Sequence, residues 1–199
     1  MKWLSKKVML WGVLGLTVVC VGLIAYGVLT HEEPGFGSAT RWGKAEFPLR
    51  VRGETYTAEG PKPLTKDHRG ALDYTLDLMN GRLDFRVFRW AKEGETSHVF
   101  VSVGVPHDES WETAGGHATL KPNPQLDQWM GCIVETSNTG TLELLQLVME
   151  HELGHCLGLA HDDYGTSIMR PTQKQTPPGT FPPWISDYDR KIIREAYAP

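Results

Sequence analysis

The stretch from His151 to His161, which reads HELGHCLGLAH, limits what this 199-residue chain can fold into more than any other feature. In an α-helix, His151 and His155 lie about 40° apart on one face, one turn from each other. Two imidazoles at that spacing can bind one zinc ion at Zn–N distances of about 2.0–2.1 Å. Glu152 is angled to the side, where it can take a proton from a metal-activated water without being a ligand itself.

His161 can join this pair only if the helix ends before it. In a continuous helix it would be rotated by about 240° from His155, away from the metal. The chain must therefore turn after Leu157, and Gly158 can adopt the positive φ that such a turn requires. Three neutral imidazoles leave the fourth zinc position open to water, which is typical of a catalytic rather than a structural zinc. The pattern predicts a zinc-dependent hydrolase.

A methionine segment follows this motif. Residues 167–171 read SIMRP, with Met169 near the centre. The two segments together resemble the metzincin zinc endopeptidases, whose HExxHxxGxxH motif is followed by a methionine turn. The residues of the motif, HELGHCLGLAH, and the proline after the turn most resemble those in the catalytic domains of the matrix metalloproteinases, or matrixins. Weaker counterparts of that family lie at RW (41–42), GHA (116–118) and ISDYDR (185–190). Asp162 follows His161 at a position where matrixins usually have serine. An aspartate there is more typical of the adamalysin or snapalysin branches.

The resemblance implies a zinc endopeptidase with Glu152 as its general base. It also implies that Met169 lies beneath the metal as an apolar floor and does not coordinate it. The substrate would pair with a strand edge at residues 116–120, and the segment from 170 to 184 would form one wall of its pocket. The implied substrate-binding residues are Gly116, His117, Ala118 and Pro171.

Matrixins also carry a second, structural zinc and calcium ions, and the resemblance raises the question of a second metal here. His117 matches one ligand of that zinc, and His107 and Asp108 loosely match two more. The segment from 131 to 136 offers no convincing fourth ligand. A structural zinc or calcium is therefore possible but unsupported.

The element order predicts a mixed α+β domain. The resemblance implies that it has the metzincin, or zincin-like, fold, with a twisted mixed sheet, two long helices and a C-terminal helix. The first long helix covers 65–80 and ends at the Asn80-Gly81 stop signal, and the second covers 142–156. The last helix begins after an N-cap at Ser186. Strand candidates lie at 46–53, 85–90, 98–105, 116–120 and 131–136.

An apolar leader precedes this domain. Residues 8–29 carry no charge and as a helix would span roughly 33 Å, enough to cross a bilayer. The three lysines before it should stay on the cytoplasmic side. The run is longer than the apolar core of a usual signal peptide, which favours an uncleaved signal-anchor. A cleaved signal peptide ending at Ala25-Tyr26-Gly27 is the alternative. Both interpretations put residues 31–199 outside the cytoplasm.

We divide the chain into the leader (1–30), a linker (31–43) and the catalytic domain (44–199). The leader contains three of the 20 Lys and Arg residues and none of the 24 Asp and Glu residues. The remainder therefore has a balance of 17 − 24 = −7. Nucleic acid is excluded as the main partner, because binding phosphates requires clustered cations. A protein or peptide substrate and the membrane are the expected partners.

Cys132 and Cys156 are the two thiols beyond the leader. In an oxidising compartment they could form a disulfide, although the sequence cannot show that they are close.

The alternative to an enzyme is a catalytically inactive module at the membrane surface, in which zinc only stabilises the fold. Glu152 argues against it, because a non-catalytic zinc site has no use for a carboxylate at that position.

Overall fold

The structure is a computed structural model that describes residues 40–106, 115–137, 140–161, 167–170 and 185–199. Every described residue belongs to one compact unit, Gly35–Pro199. The predicted leader lies outside the described residues. Within the described part, no helix has the length and apolar character needed to span a bilayer.

In the part of the chain that the structure describes, six strands and three α-helices form a mixed α+β domain, which confirms the predicted class. The strands are β1 (Leu49–Thr57), β2 (Gly60–Pro63), β3 (Phe88–Trp90), β4 (Val99–Val103), β5 (Gly116–Pro122) and β6 (Trp129–Thr136). The helices are α1 (Lys66–Leu83), α2 (Leu142–Cys156) and α3 (Asp187–Tyr197).

The sheet has the order β2-β1-β4-β6-β5, and β3 pairs with the first half of β1. Strands β1, β4 and β6 are parallel, whereas β2 and β5 run antiparallel to their neighbours. Val99, Val101 and Val103 alternate along β4 and are fully or almost fully buried. In this strand order, β5 forms one edge of the described sheet and β2 forms the other.

Each helix begins where its sequence provides an N-cap. The Thr65 side chain accepts a hydrogen bond from the His68 N–H at the start of α1. At the start of α2, the Thr141 side chain accepts one from the Leu144 N–H. Ser186 and Asp189 form a reciprocal capping box at the start of α3. The bounds predicted for the second helix and the N-cap predicted for the last helix are confirmed.

The predicted end of the first helix is wrong. The helix continues through Asn80-Gly81 to Leu83 and ends at Asp84, which has a left-handed φ of 60°. The Asn80 side chain does not stop the helix, because it accepts hydrogen bonds from the N–H groups of Val87 and Phe88 and donates to the Phe88 carbonyl. These contacts fasten the start of β3 to α1.

The predicted linker, 31–43, is too long at its C-terminal end. Trp42 is 3% exposed and belongs to the hydrophobic core, and Arg41 forms a bridge with Gln128. The first strand begins later than predicted, because Lys44–Glu46 form a short 3-10 turn. Strand β2 was not predicted at all.

Cys132 of β6 and Cys156 of α2 form a disulfide, with their Cα atoms 5.6 Å apart. The hypothesis of a bridge between them is confirmed. Both residues are buried, and the bond joins the end of the helix that carries the motif histidines to the centre of the sheet.

Candidate metal centre

Three imidazoles meet at the C-terminal end of α2. The His155 Nε2 atom lies 3.1 Å from the Nε2 atoms of both His151 and His161. Within the described residues these three are the group of His, Cys, Asp or Glu side chains that could hold a metal ion. The structure therefore brings together the histidines that the motif predicts as ligands.

Backbone carbonyls orient two of these rings. The Nδ1 atom of His151 lies 2.6 Å from the Ile168 carbonyl oxygen, and that of His155 lies 2.8 Å from the Leu159 carbonyl oxygen. Each Nδ1 must carry the proton, because a carbonyl only accepts. Each Nε2 atom is then left with its lone pair directed at the centre of the cluster. This is the second-shell arrangement that fixes metal-binding histidines in proteins.

Burial keeps His151 neutral. Burial, together with the nearby His155 and His161 rings, lowers the pKa of this imidazole to about 3. A protonated imidazole cannot bind a metal, so the shift keeps the His151 lone pair available across the physiological range.

The turn after α2 delivers His161 as predicted. Gly158 has a φ of 93°, in the left-handed region that favours glycine. The Gly158 N–H donates to the His155 carbonyl, and the Leu159 N–H donates to the Gly154 carbonyl. These bonds reverse the chain so that the segment after the helix returns to the histidine face.

The methionine segment packs beneath this helix end. Met169 is fully buried, and its sulfur is in such close contact with Gly154 that a side chain at position 154 would collide with it. The Met169 N–H donates to the Ser167 hydroxyl, which in turn donates to the Asp189 carboxylate at 2.8 Å. The capping box of α3 thereby fixes the segment whose Ile168 carbonyl orients His151.

Glu152 lies between the helix and the edge strand. It is 1% exposed, and a methyl group added to Gly116 would come within 2.9 Å of its Oε1 atom. The absence of a side chain at Gly116 therefore lets β5 approach the carboxylate. The structure places the predicted base next to the strand edge that was predicted to receive substrate.

The remaining predicted residues have mixed outcomes. His117 and Ala118 are half-buried on β5, beside Gly116. Pro171 lies outside the described residues, as do His107 and Asp108 of the possible second metal site. Their roles stay predictions.

Four contributors to the centre were missed by sequence reasoning. The Ile168 and Leu159 carbonyls carry no side-chain signature, so no pattern could reveal them. The Ser167 hydroxyl and the hydrogen bond that the Asp189 carboxylate accepts from it depend on a contact between segments that are distant in sequence. Only the capping role of Asp189 could be detected, from its position three residues after Ser186.

The donor set fits zinc. Tetrahedral coordination at about 2.0–2.1 Å separates two nitrogen ligands by about 3.3 Å. The observed Nε2 separations of 3.1 Å are close to that value. Lone pairs on neutral nitrogens at this distance repel each other, and a shared cation removes the repulsion.

Comparison with protein families agrees with this geometry. The family model described as Matrixin, Peptidase_M10, matches residues 90–198, which is more than half of the chain. The chain belongs to the matrixin family. A search of curated proteins found no match. The family assigns this matrixin to the zinc metalloproteases, whose substrates are proteins or peptides.

Proposed function

We propose that this matrixin is a zinc-dependent endopeptidase in which His151, His155 and His161 hold the metal and Glu152 is the general base. The convergence of the three Nε2 atoms carries the proposal. When bound, zinc supplies the Lewis acidity that activates a water molecule and polarises the scissile carbonyl. Glu152 accepts the proton released by the water and passes it to the leaving amine.

The edges of the sheet support binding of an extended peptide beside Glu152. Peptide pairing requires a strand with free backbone groups. On β2, Pro61 and Pro63 lack N–H groups and weaken that edge as a partner. The β5 edge has no proline before Pro122, and it begins at Gly116, against the Glu152 carboxylate. A substrate paired with β5 would bring its scissile bond close to the base.

The burial of Glu152 supports its role as a base. A carboxylate excluded from bulk water interacts strongly with a nearby cation and exchanges protons mainly with groups inside the cleft. Met169 would form the floor of the metal site, held by the hydrogen bond from its N–H to Ser167.

Exchange of Glu152 for glutamine tests the assignment. We expect zinc-loaded Glu152→Gln to retain one zinc per chain and to lose peptidase activity by about two to four orders of magnitude. Glu143→Gln is the matched control, because Glu143 is exposed at the other end of the same helix. The assay is hydrolysis of a quenched peptide library, with and without a hydroxamate or a chelator. Cleavage by Glu152→Gln at the wild-type rate would contradict the role of Glu152. A wild-type chain that binds zinc and cleaves nothing would favour the inactive binding module.

We further propose that the catalytic domain works outside the cytoplasm behind an uncleaved membrane anchor. The charge-free run at residues 8–29 and the buried disulfide support this location, since disulfides persist in oxidising compartments. Mass spectrometry of the N-terminus of the cell-derived protein tests the anchor. A mature chain that begins near Val28 would show a cleaved signal peptide instead.

A further inference from the structure

Two side chains cap the end of the helix that carries the metal motif. The last carbonyl groups of an α-helix have no partner within the helix. Here the Cys156 carbonyl accepts a hydrogen bond from the Trp42 indole N–H at 2.7 Å, and the Leu157 carbonyl accepts one from the Tyr197 hydroxyl at 2.9 Å. Both bonds are buried. The two carbonyls belong to consecutive residues, directly after His155 and before the Gly158 turn.

The two donors come from opposite ends of the domain. Trp42 precedes β1, and Tyr197 is the last residue of α3. They are also joined to each other, because the Tyr197 hydroxyl has a hydrogen bond with the Trp42 backbone. Burial raises the pKa of Tyr197 to about 12, so its hydroxyl keeps the proton that it donates. We call this pair the aromatic clamp.

The segment held by the clamp controls two of the three imidazoles. The Leu159 carbonyl, just past the turn, orients the His155 ring through Nδ1. His161 follows two residues later. Rotation of the backbone at Cys156 or Leu157 would therefore move both the acceptor that fixes His155 and the chain that carries His161.

Neighbouring aromatic rings hold the clamp in place. The Trp42 ring packs against His98 with centroids 5.6 Å apart, and the Tyr197 ring packs against Phe47 at 4.7 Å. Because Trp42 and Tyr197 are 3% and 2% exposed, neither can change rotamer freely.

We propose that Trp42 and Tyr197 are positioning residues for the metal centre, which set the geometry of His155 and His161 through the Cys156 and Leu157 carbonyls. This inference rests on the proposed function, since it assumes that the three histidines hold zinc. Metal affinity then depends on Trp42, near the N-terminal end of the domain, and on Tyr197, near its C-terminal end, although neither bonds to a metal ligand directly.

Tyr197→Phe is the decisive variant, because it removes one oxygen atom and keeps the ring packed against Phe47. Trp42→Phe removes the other donor. The matched controls are Tyr74→Phe, on the exposed face of α1, and Trp129→Phe, whose buried indole nitrogen has no hydrogen-bond partner in the described part of the chain. All four are made in the full chain and compared with wild type.

Three readouts separate positioning from simple stability: the zinc dissociation constant by chelator competition, the visible spectrum of the Co²⁺-substituted protein, and kcat and KM. For Tyr197→Phe and Trp42→Phe we expect zinc affinity to fall about tenfold, within the range found when outer-shell partners of metal ligands are lost. We also expect shifted Co²⁺ bands and a lower kcat with little change in KM. The two controls should match wild type.

Zinc affinity within twofold of wild type and an unchanged Co²⁺ spectrum in Tyr197→Phe would overturn the proposal, even if its melting temperature fell. The affinity measurement does not require hydrolysis. A wild-type chain that bound zinc but cleaved nothing would therefore refute the proposed function, while the comparison of affinities would still decide whether the clamp positions the histidines.

Discussion

The disulfide between Cys132 and Cys156 allows a quantitative prediction of stability. The two residues are 24 positions apart in the sequence. Closing a loop of this length removes about 12 cal/mol/K of chain entropy from the unfolded state, or about 3.5 kcal/mol at 25 °C. We expect the lost cross-link to lower the free energy of unfolding of the double variant Cys132→Ala/Cys156→Ala by about 3.5 kcal/mol, and the smaller side chains to lower it further.

Guanidinium unfolding followed by tryptophan fluorescence measures this difference in the metal-free protein. The unfolded double variant is less compact than the cross-linked chain, so its m-value should be larger as well. Wild-type protein unfolded in the presence of a reductant is the control, and it should approach the curve of the double variant. A loss of less than about 1 kcal/mol with an unchanged m-value would refute the reasoning, because the bond would then place no constraint on the unfolded chain.

Two further substitutions test the surroundings of the metal centre. Glu150 is fully buried, its carboxylate oxygens have no hydrogen-bond partner within the described residues, and burial raises its pKa from 4.5 to about 8. The contribution of Glu150 to stability is therefore fully present below pH 4.5 and is lost as pH rises to 8. Over that window the unfolding free energy of Glu150→Gln should rise relative to that of wild type by up to about 1.4 kcal/mol per pH unit. A wild type more stable than the variant at pH 8.5 would contradict this. Gly116→Ala should lower kcat at least tenfold, because its methyl group would come within 2.9 Å of the Glu152 Oε1 atom and displace the carboxylate. It should also lower the unfolding free energy, because the same methyl group would lie 2.6 Å from Val148 Cγ1 and the packing there would have to shift. Gly131→Ala on the adjacent strand, with no atom closer than 3.8 Å, should match wild type in the same assays, and equal kcat values for the two variants would count against the argument.

Local signals predicted the elements that depend on local chemistry. The end of α2 follows from the Gly158 turn, which the sequence predicted, whereas the Thr141 cap at its start was found only in the structure. The Asn80-Gly81 signal failed because the Asn80 side chain accepts tertiary hydrogen bonds from the Val87 and Phe88 N–H groups at the start of β3, in place of the expected helix stop. Strand β2 contains two prolines and no alternating pattern, and it exists because β1 pairs with it.

The candidate site was predictable in its side chains and not in its supports. Spacing alone selects His151, His155 and His161, because a helix and one turn fix their relative positions. The carbonyls that orient them and the Trp42 and Tyr197 donors come from segments up to 114 residues away in the sequence. A pattern in one segment contains no information about contacts across such distances.

X-ray absorption at the zinc edge of the zinc-loaded full-length protein tests the central claim most directly. We predict three imidazole nitrogens and one oxygen at about 2.0–2.1 Å, and one imidazole fewer in His161→Ala. Sulfur in the first shell, a fourth protein ligand, or a spectrum unchanged by His161→Ala would contradict a catalytic zinc held by these three histidines.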